Sequence, residues 1–165
     1  MVNNHEIIDK CKALYTAFDT EAIGRLAEIY HPDVRFTDPI HAVEGLHALT
    51  QYFQHVCDGS DSQFEFTATV VQGEQAFLRW VMHYSNPKLA GGKALALSGG
   101  SFLTLDEGAG RIIAQEDYYD MGQMVYRHLP VIGWAIQKIN HHLAGTAAST
   151  GRAFSARLDG SRYAK

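Results

Sequence analysis

The chain has 165 residues, 46% hydrophobic and 19% charged, with a formal net charge of −4. That balance describes one globular domain with room for a core and excludes a disordered or fibrous chain. No apolar run approaches the roughly 18 residues of a membrane-spanning helix, and "MVNNHEIIDKCK" lacks the basic-then-apolar order of a secretory signal, so a cytoplasmic address is expected.

Ile7, Cys11, Leu14 and Phe18 recur at helical spacing and predict an amphipathic helix over 4–18. Asp19 and Thr20 offer an N-cap for a second short helix carrying Ile23, Leu26 and Tyr30, which His31-Pro32 should stop because proline lacks the donor a helix interior needs. A strand over 33–38 follows, with Val34, Phe36 and Asp38 on one face. Beyond a turn at Pro39 and a short extended piece to Gly45, Leu46, Leu49, Phe53 and Val56 mark a third helix. "DGSDS" at 58–62 has the composition of a loop.

The period then changes from helical to two. Phe64, Phe66, Ala68 and Val70 alternate with polar residues, as do Ala76, Leu78, Trp80, Met82 and Tyr84 after the "QGE" turn. A hairpin loop "NPKLAGGK", a strand over 94–105, the "DEGAG" turn and the strand "RIIAQEDYYD" complete a four-stranded antiparallel meander, since strands joined by short turns cannot be parallel. The fold class is therefore α+β, helices on one face of a curved sheet.

Residues 1–120 carry 8 Lys/Arg against 17 Asp/Glu, a net −9, whereas 121–165 carry 6 against 1, a net +5. We divide the chain into a domain over 1–120, a helical extension over 121–143 and a flexible tail over 144–165. In the extension Pro130 suits the first position of a helix, with Ile132, Ile136, Ile139 and Leu143 at helical spacing. Two readings stand for it: a helix packed on the core or across a dimer, and a peripheral membrane contact through residues 130–143, which the Trp134 ring and the lack of acids would suit.

Among candidate chemical groups, Asp38 has two readings. It can start a turn by bonding backbone two residues on, or stand at a pocket mouth, where partial desolvation would make it a useful general base. In the last strand one parity holds Gln115, Asp117 and Tyr119 and the other Glu116, Tyr118 and Asp120, so a carboxylate faces inward whichever face is buried. The nine histidines contain no HExxH and make no Cys/His quartet, so no metal is expected. Cys11 and Cys57 form neither a CxxC pair nor a disulfide framework and read as small buried hydrophobes. There is no GxSxG; the glycines of "SGGS" at 98–101 read as close packing or a bulge. No dinucleotide or phosphate loop has the strand-to-helix context it needs, so no cofactor is expected, and an acidic core without a basic face argues against nucleic acid.

"ALYTAFDTEAIGRLAEIYHPDVRFTDPIHAVEGLHALTQYF", with "GAGRIIAQEDYYD" as a last core strand, resembles the nuclear-transport-factor-2-like superfamily in its ketosteroid isomerase and SnoaL-like polyketide cyclase branch. The resemblance spans roughly 5–120. It implies a conical (cystatin-like) curved antiparallel sheet wrapped around N-terminal helices, an apolar pocket inside the cone, and homodimerisation through the sheet. It places Asp38 of "TDP" at the general base and Tyr15 at the tyrosine that stabilises an oxyanion, and offers Asp117 as a second acid. The second oxyanion donor, an acid two residues before a strand Phe, is missing, since Gly100 stands two before Phe102. The candidate pocket residues are Phe36, Phe53, Trp80, Gln115 and Tyr119.

Two functions fit. One is a cofactor-independent isomerase or cyclase that abstracts a proton next to the carbonyl of a hydrophobic small molecule. The other is a non-catalytic module that binds a lipid-like molecule or a protein through the same pocket or sheet.

Overall fold

The structure, a computed structural model, describes residues 4–87 and 92–124. Helix α1 (Asn4–Thr16) buries Ile7, Ile8, Cys11, Leu14 and Tyr15, the stripe its periodicity predicts. It ends two residues earlier than expected, because Phe18 leaves the helix to bridge Ser62. Asp19 is the N-cap of α2 (Thr20–Gly24), its carboxylate accepting from the Ala22 N–H at 2.8 Å.

The second helix is shorter than its pattern suggested. A 3-10 turn (Leu26–Glu28) follows α2, and Tyr30 already belongs to strand β1 (Tyr30–Thr37). Pro32 therefore stops no helix; it lies inside β1 where the pairing with the last strand shifts register between Tyr30 and Arg35, so its missing N–H breaks no regular ladder. A short β2 (Ala42–Glu44) returns antiparallel to β1, and α3 (Leu46–Cys57) starts after Gly45, whose φ of 85° suits glycine alone.

The meander consists of β3 (Asp61–Gln72), β4 (Gln75–Ser85), β5 (Leu95–Asp106) and β6 (Arg111–Tyr119). With β1 and β2 it makes one six-stranded sheet in the order β2-β1-β6-β5-β4-β3. The β1–β6 pair is parallel, the one departure from the expected antiparallel sheet; everything between them in sequence is the crossover. Irregularities at Phe66/Ala68 and Thr104/Leu105 bend the sheet around α1 and α3.

One face of the sheet is covered by the helices. Leu49, Leu78, Leu103 and Ile112 are fully buried there, each contributing on the order of 2 kcal/mol. The other face exposes Val70, Phe77, Phe102 and Tyr118, at 62, 40, 36 and 53% of their surface. Adjacent glycines of β5 serve opposite faces: a side chain at Gly99 would strike the Trp80 ring inside, and one at Gly100 the Phe77 ring outside. "SGGS" is thus close packing on both faces. Helix α4 (Met121–Met124), the start of the extension over 121–143, ends the described part; the rest of the extension, with the segment 130–143, and the tail over 144–165 lie outside it.

Candidate active site

A cavity of about 480 Å³ opens between the inner face of the sheet and the helices α1 and α3. Tyr15, Phe36, Asp38, Phe53, Trp80, Asp117 and Tyr119, all candidates from the sequence, line it. Gln115 does not. It is buried one layer behind, at 3% exposure, and reaches the cavity only through its neighbours. A second concavity of about 280 Å³ between α1 and α2 is a surface groove with Lys10, Arg25 and Glu28 on its rim; Lys10 pairs with Glu6 at 2.7 Å and Arg25 with Glu28 at 3.0 Å.

The turn reading of Asp38 is realised at one carboxylate oxygen, and the residue lines the cavity. Oδ1 accepts from the backbone N–H groups of Ile40 and His41, both at 2.7 Å, closing the turn around Pro39. Oδ2 faces the cavity and accepts from the Tyr52 hydroxyl; Tyr119 also hydrogen-bonds this carboxylate. Burial and then the bond to Asp38 push the Tyr52 phenol upward, and burial and then the charge of Asp38 raise Tyr119. Every hydrogen-bond partner of the Asp38 carboxylate is therefore a donor.

Asp117 stands across the cavity on β6, opposite Ser101 of β5. Its parity mates Gln115 and Tyr119 also point inward, while Glu116 and Tyr118 point out, which settles which acid of the strand is inside. Burial pushes Asp117 from 3.8 up to about 7; hydrogen bonds from Ser101 and Gln115 oppose the shift, and the charge of Asp38 adds to it. Asp120 takes no part, capping a turn by accepting from the Gly122 N–H at 2.7 Å.

Behind Asp117 lies a closed ring of hydrogen bonds. Tyr30 donates to Gln115 Oε1 at 2.5 Å, so its oxygen is left to accept from Tyr15 at 2.8 Å. Gln115 Nε2 donates to the Tyr15 oxygen at 3.1 Å and to Asp117 Oδ1 at 2.9 Å. The single proton of Tyr15 is thus directed at Tyr30 and away from the cavity, and burial raises the Tyr15 phenol well above its ordinary range. Cys11, beside this ring, is pushed up to about 12 by burial and stays an unreactive thiol.

The register of β5 also changes the meaning of the missing donor. Gly100 and Phe102 belong to the outer face, so an acid at 100 would not reach the cavity; the inward positions are Gly99 and Ser101. Residue counting missed Ser101, Tyr30 and Tyr52. The alternation of "SGGSFLTL" against buried Leu103 could have found Ser101. Tyr52 lies beside the α3 stripe and carried no periodic signal. Among the described residues no cluster of His, Cys, Asp or Glu could hold a metal ion.

The profile of the SnoaL-like domain family matches residues 11–115. No curated protein sequence matches the chain. Among solved structures, an NTF2-like protein of unknown function from Burkholderia pseudomallei superposes with a TM-score of 0.65 at 19% identity, covering 79% of this chain and 99% of that one. A provisionally assigned polyketide cyclase from Xanthomonas campestris gives 0.64 at 19% identity, covering 74% and 97%. At these identities the likeness establishes the conical fold.

Proposed function

Because this chain belongs to the SnoaL-like domain family, we propose that its cone cavity is the active site of a cofactor-independent isomerase- or cyclase-like enzyme acting on a hydrophobic carbonyl compound. The observation that carries this reading is a pair of carboxylates on one cavity in opposed settings. Asp38 is held by donors on both oxygens, while Asp117 is pushed by burial into the range where it keeps its proton near neutrality. A desolvated carboxyl group facing a carboxylate across one cavity suits an acid and a base.

In this mechanism Asp38 takes the proton from the carbon next to the substrate carbonyl. The C–H electron pair becomes the C=C bond of an enolate, the C=O π pair moves to the oxygen, and protonated Asp117 hydrogen-bonds that developing oxyanion. The proton then returns to another carbon, which isomerises the substrate, or the enolate attacks a second carbonyl, which cyclises it. Tyr15 acts indirectly, holding Gln115 and through it Asp117. Phe36, Phe53 and Trp80 supply apolar walls that exclude water and strengthen each charge interaction.

The test is exchange of α-protons into deuterated water, followed by NMR on a panel of aryl ketones that bind the protein. Exchange that disappears in Asp38→Asn supports the enzyme. If no bound ketone exchanges with the unmutated protein, the cavity is a binding site and the catalytic reading fails.

A further inference from the structure

Asp117 lines the cavity, accepts from Gln115 at 2.9 Å and stands in the strand register opposite Ser101, whose hydroxyl also holds its carboxyl group. The Trp80 indole nitrogen donates only, so the Ser101 Oγ, 2.9 Å away, must accept from it. The Ser101 hydroxyl proton is then free to go to Asp117, its other partner. On the other side Gln115 offers Asp117 its amide nitrogen, because its amide oxygen is taken by Tyr30. Both contacts run toward the carboxyl group, and among the described residues no buried side-chain polar atom is left without a partner.

We infer that Trp80, Ser101 and Gln115 are positioning residues whose one-way hydrogen bonds aim the acidic proton of Asp117 into the cavity, making the site selective for a ligand that presents a neutral acceptor oxygen there. Asp38 faces the ligand from the opposite side, where its cavity oxygen would exchange a bond from Tyr52 or Tyr119 for one to the ligand. The pair therefore fits a molecule with an acceptor oxygen next to an acidic C–H or an O–H, such as a ketone or its enol. Among the described lining residues there is no Lys or Arg, so an anionic carboxylate ligand would find no countercharge except from His41 or His55. The inference rests on the reading of this cavity as the working site and adds how the acceptor is recognised.

The test compares acetophenone with α-methylstyrene, which replaces the carbonyl oxygen by a methylene of nearly the same shape. Binding of each to the full-length protein is measured by NMR titration. The unmutated protein should prefer the ketone by about 10-fold, the worth of one hydrogen bond to a buried acid. Trp80→Phe removes the donor to Ser101, leaving Ser101 to accept from Asp117, and should reduce the ratio of the two affinities to near 1; the ratio cancels what the smaller ring does to both ligands alike. Ser101→Ala takes away one of the two bonds that aim the proton and should lower the preference as well, and Ser101→Thr, which keeps the hydroxyl, should restore it. In Ser101→Ala, which alters no wall ring, an unchanged styrene affinity reports that the cavity is intact, and that variant reads the ratio if Trp80→Phe does not fold. An unmutated protein without preference, or a preference untouched in both variants, overturns the inference. Exchange at Asp38 with an unaltered ratio would leave the enzyme reading standing without it; an altered ratio with no exchange would leave a directional binding site that is not an enzyme.

Discussion

The two faces of β5 meet different conditions one residue apart. Inward, Gly99 gives up its side chain to the Trp80 ring and Ser101 spends its hydroxyl between Trp80 and Asp117. Outward, Gly100 makes way for Phe77, and Phe102 lies against solvent. The same alternation of a strand thus produces a face where every polar atom has an assigned direction and one where large rings stand open. The lesson is that chemistry in this fold depends on register: moving β5 by one residue would exchange the two faces.

The largest effect that separates them should come from the carboxylates. Asp38→Asn is expected to lower α-proton exchange by about 10³-fold, the usual range for loss of a general base. Glu116→Gln, on the outer side of β6, should leave exchange unchanged, as read by the same NMR rates. Equal losses in both would mean that the inner face is not the reactive one.

Much of this contrast is visible in the sequence. The period-two runs place Trp80, Leu78 and Phe64 on one face, and "TDP" marks Asp38, because strand alternation is written directly in residue order. Tyr30 was less legible: a helical pattern running through Leu26 to Tyr30 competed with a strand start, and the pairing of Tyr30 with Ile112 decided it from more than 80 positions away, roughly, in a chain where tertiary contacts override local preference. The ring formed by Tyr15, Tyr30 and Gln115 joins three elements distant in sequence, and no spacing rule encodes such a contact. The direction of Tyr15's proton followed only from that ring.

Packing offers the next test. Gly99→Ala should cost about 2–3 kcal/mol in urea unfolding, since the added methyl meets the Trp80 ring, which is held by its bond to Ser101 and lies within the second core cluster with Met82 and Leu97. The substitution should also reduce the acetophenone preference by displacing the indole. A neutral Gly99→Ala would show that the cavity wall is free to move.

Titration gives a smaller effect with a definite sign. The folded state holds the Asp117 proton up to about 7, whereas the ordinary carboxyl releases it near 3.8. Asp117 therefore contributes stability that is fully present below pH 3.8 and lost as pH rises through 7. Because Asp117 is only half-buried at the cavity, the expected loss is on the order of 2 kcal/mol. Asp117→Asn should remove this slope between pH 4 and pH 7, as measured by urea midpoints, and any activity that requires the protonated acid should fall above pH 7. A slope that survives the substitution would assign it to other groups.

The smallest expected change completes the contrast with Gly99. A methyl at Gly100 also meets an aromatic ring, but that ring is the far end of Phe77, a side chain 40% exposed with solvent to move into, and its other contact, 3.3 Å from the Leu78 carbonyl oxygen, needs a backbone shift of only a few tenths of an ångström. Against that displacement stands a gain, because replacing a strand-interior glycine by alanine relieves about 0.5–1 kcal/mol of backbone entropy cost. The two terms nearly cancel, so Gly100→Ala should shift stability by less than about 1 kcal/mol in the same urea experiment and leave ketone binding unaltered. If it instead costs as much as Gly99→Ala, Phe77 is fixed in place, and the outer face is packed as firmly as the inner one.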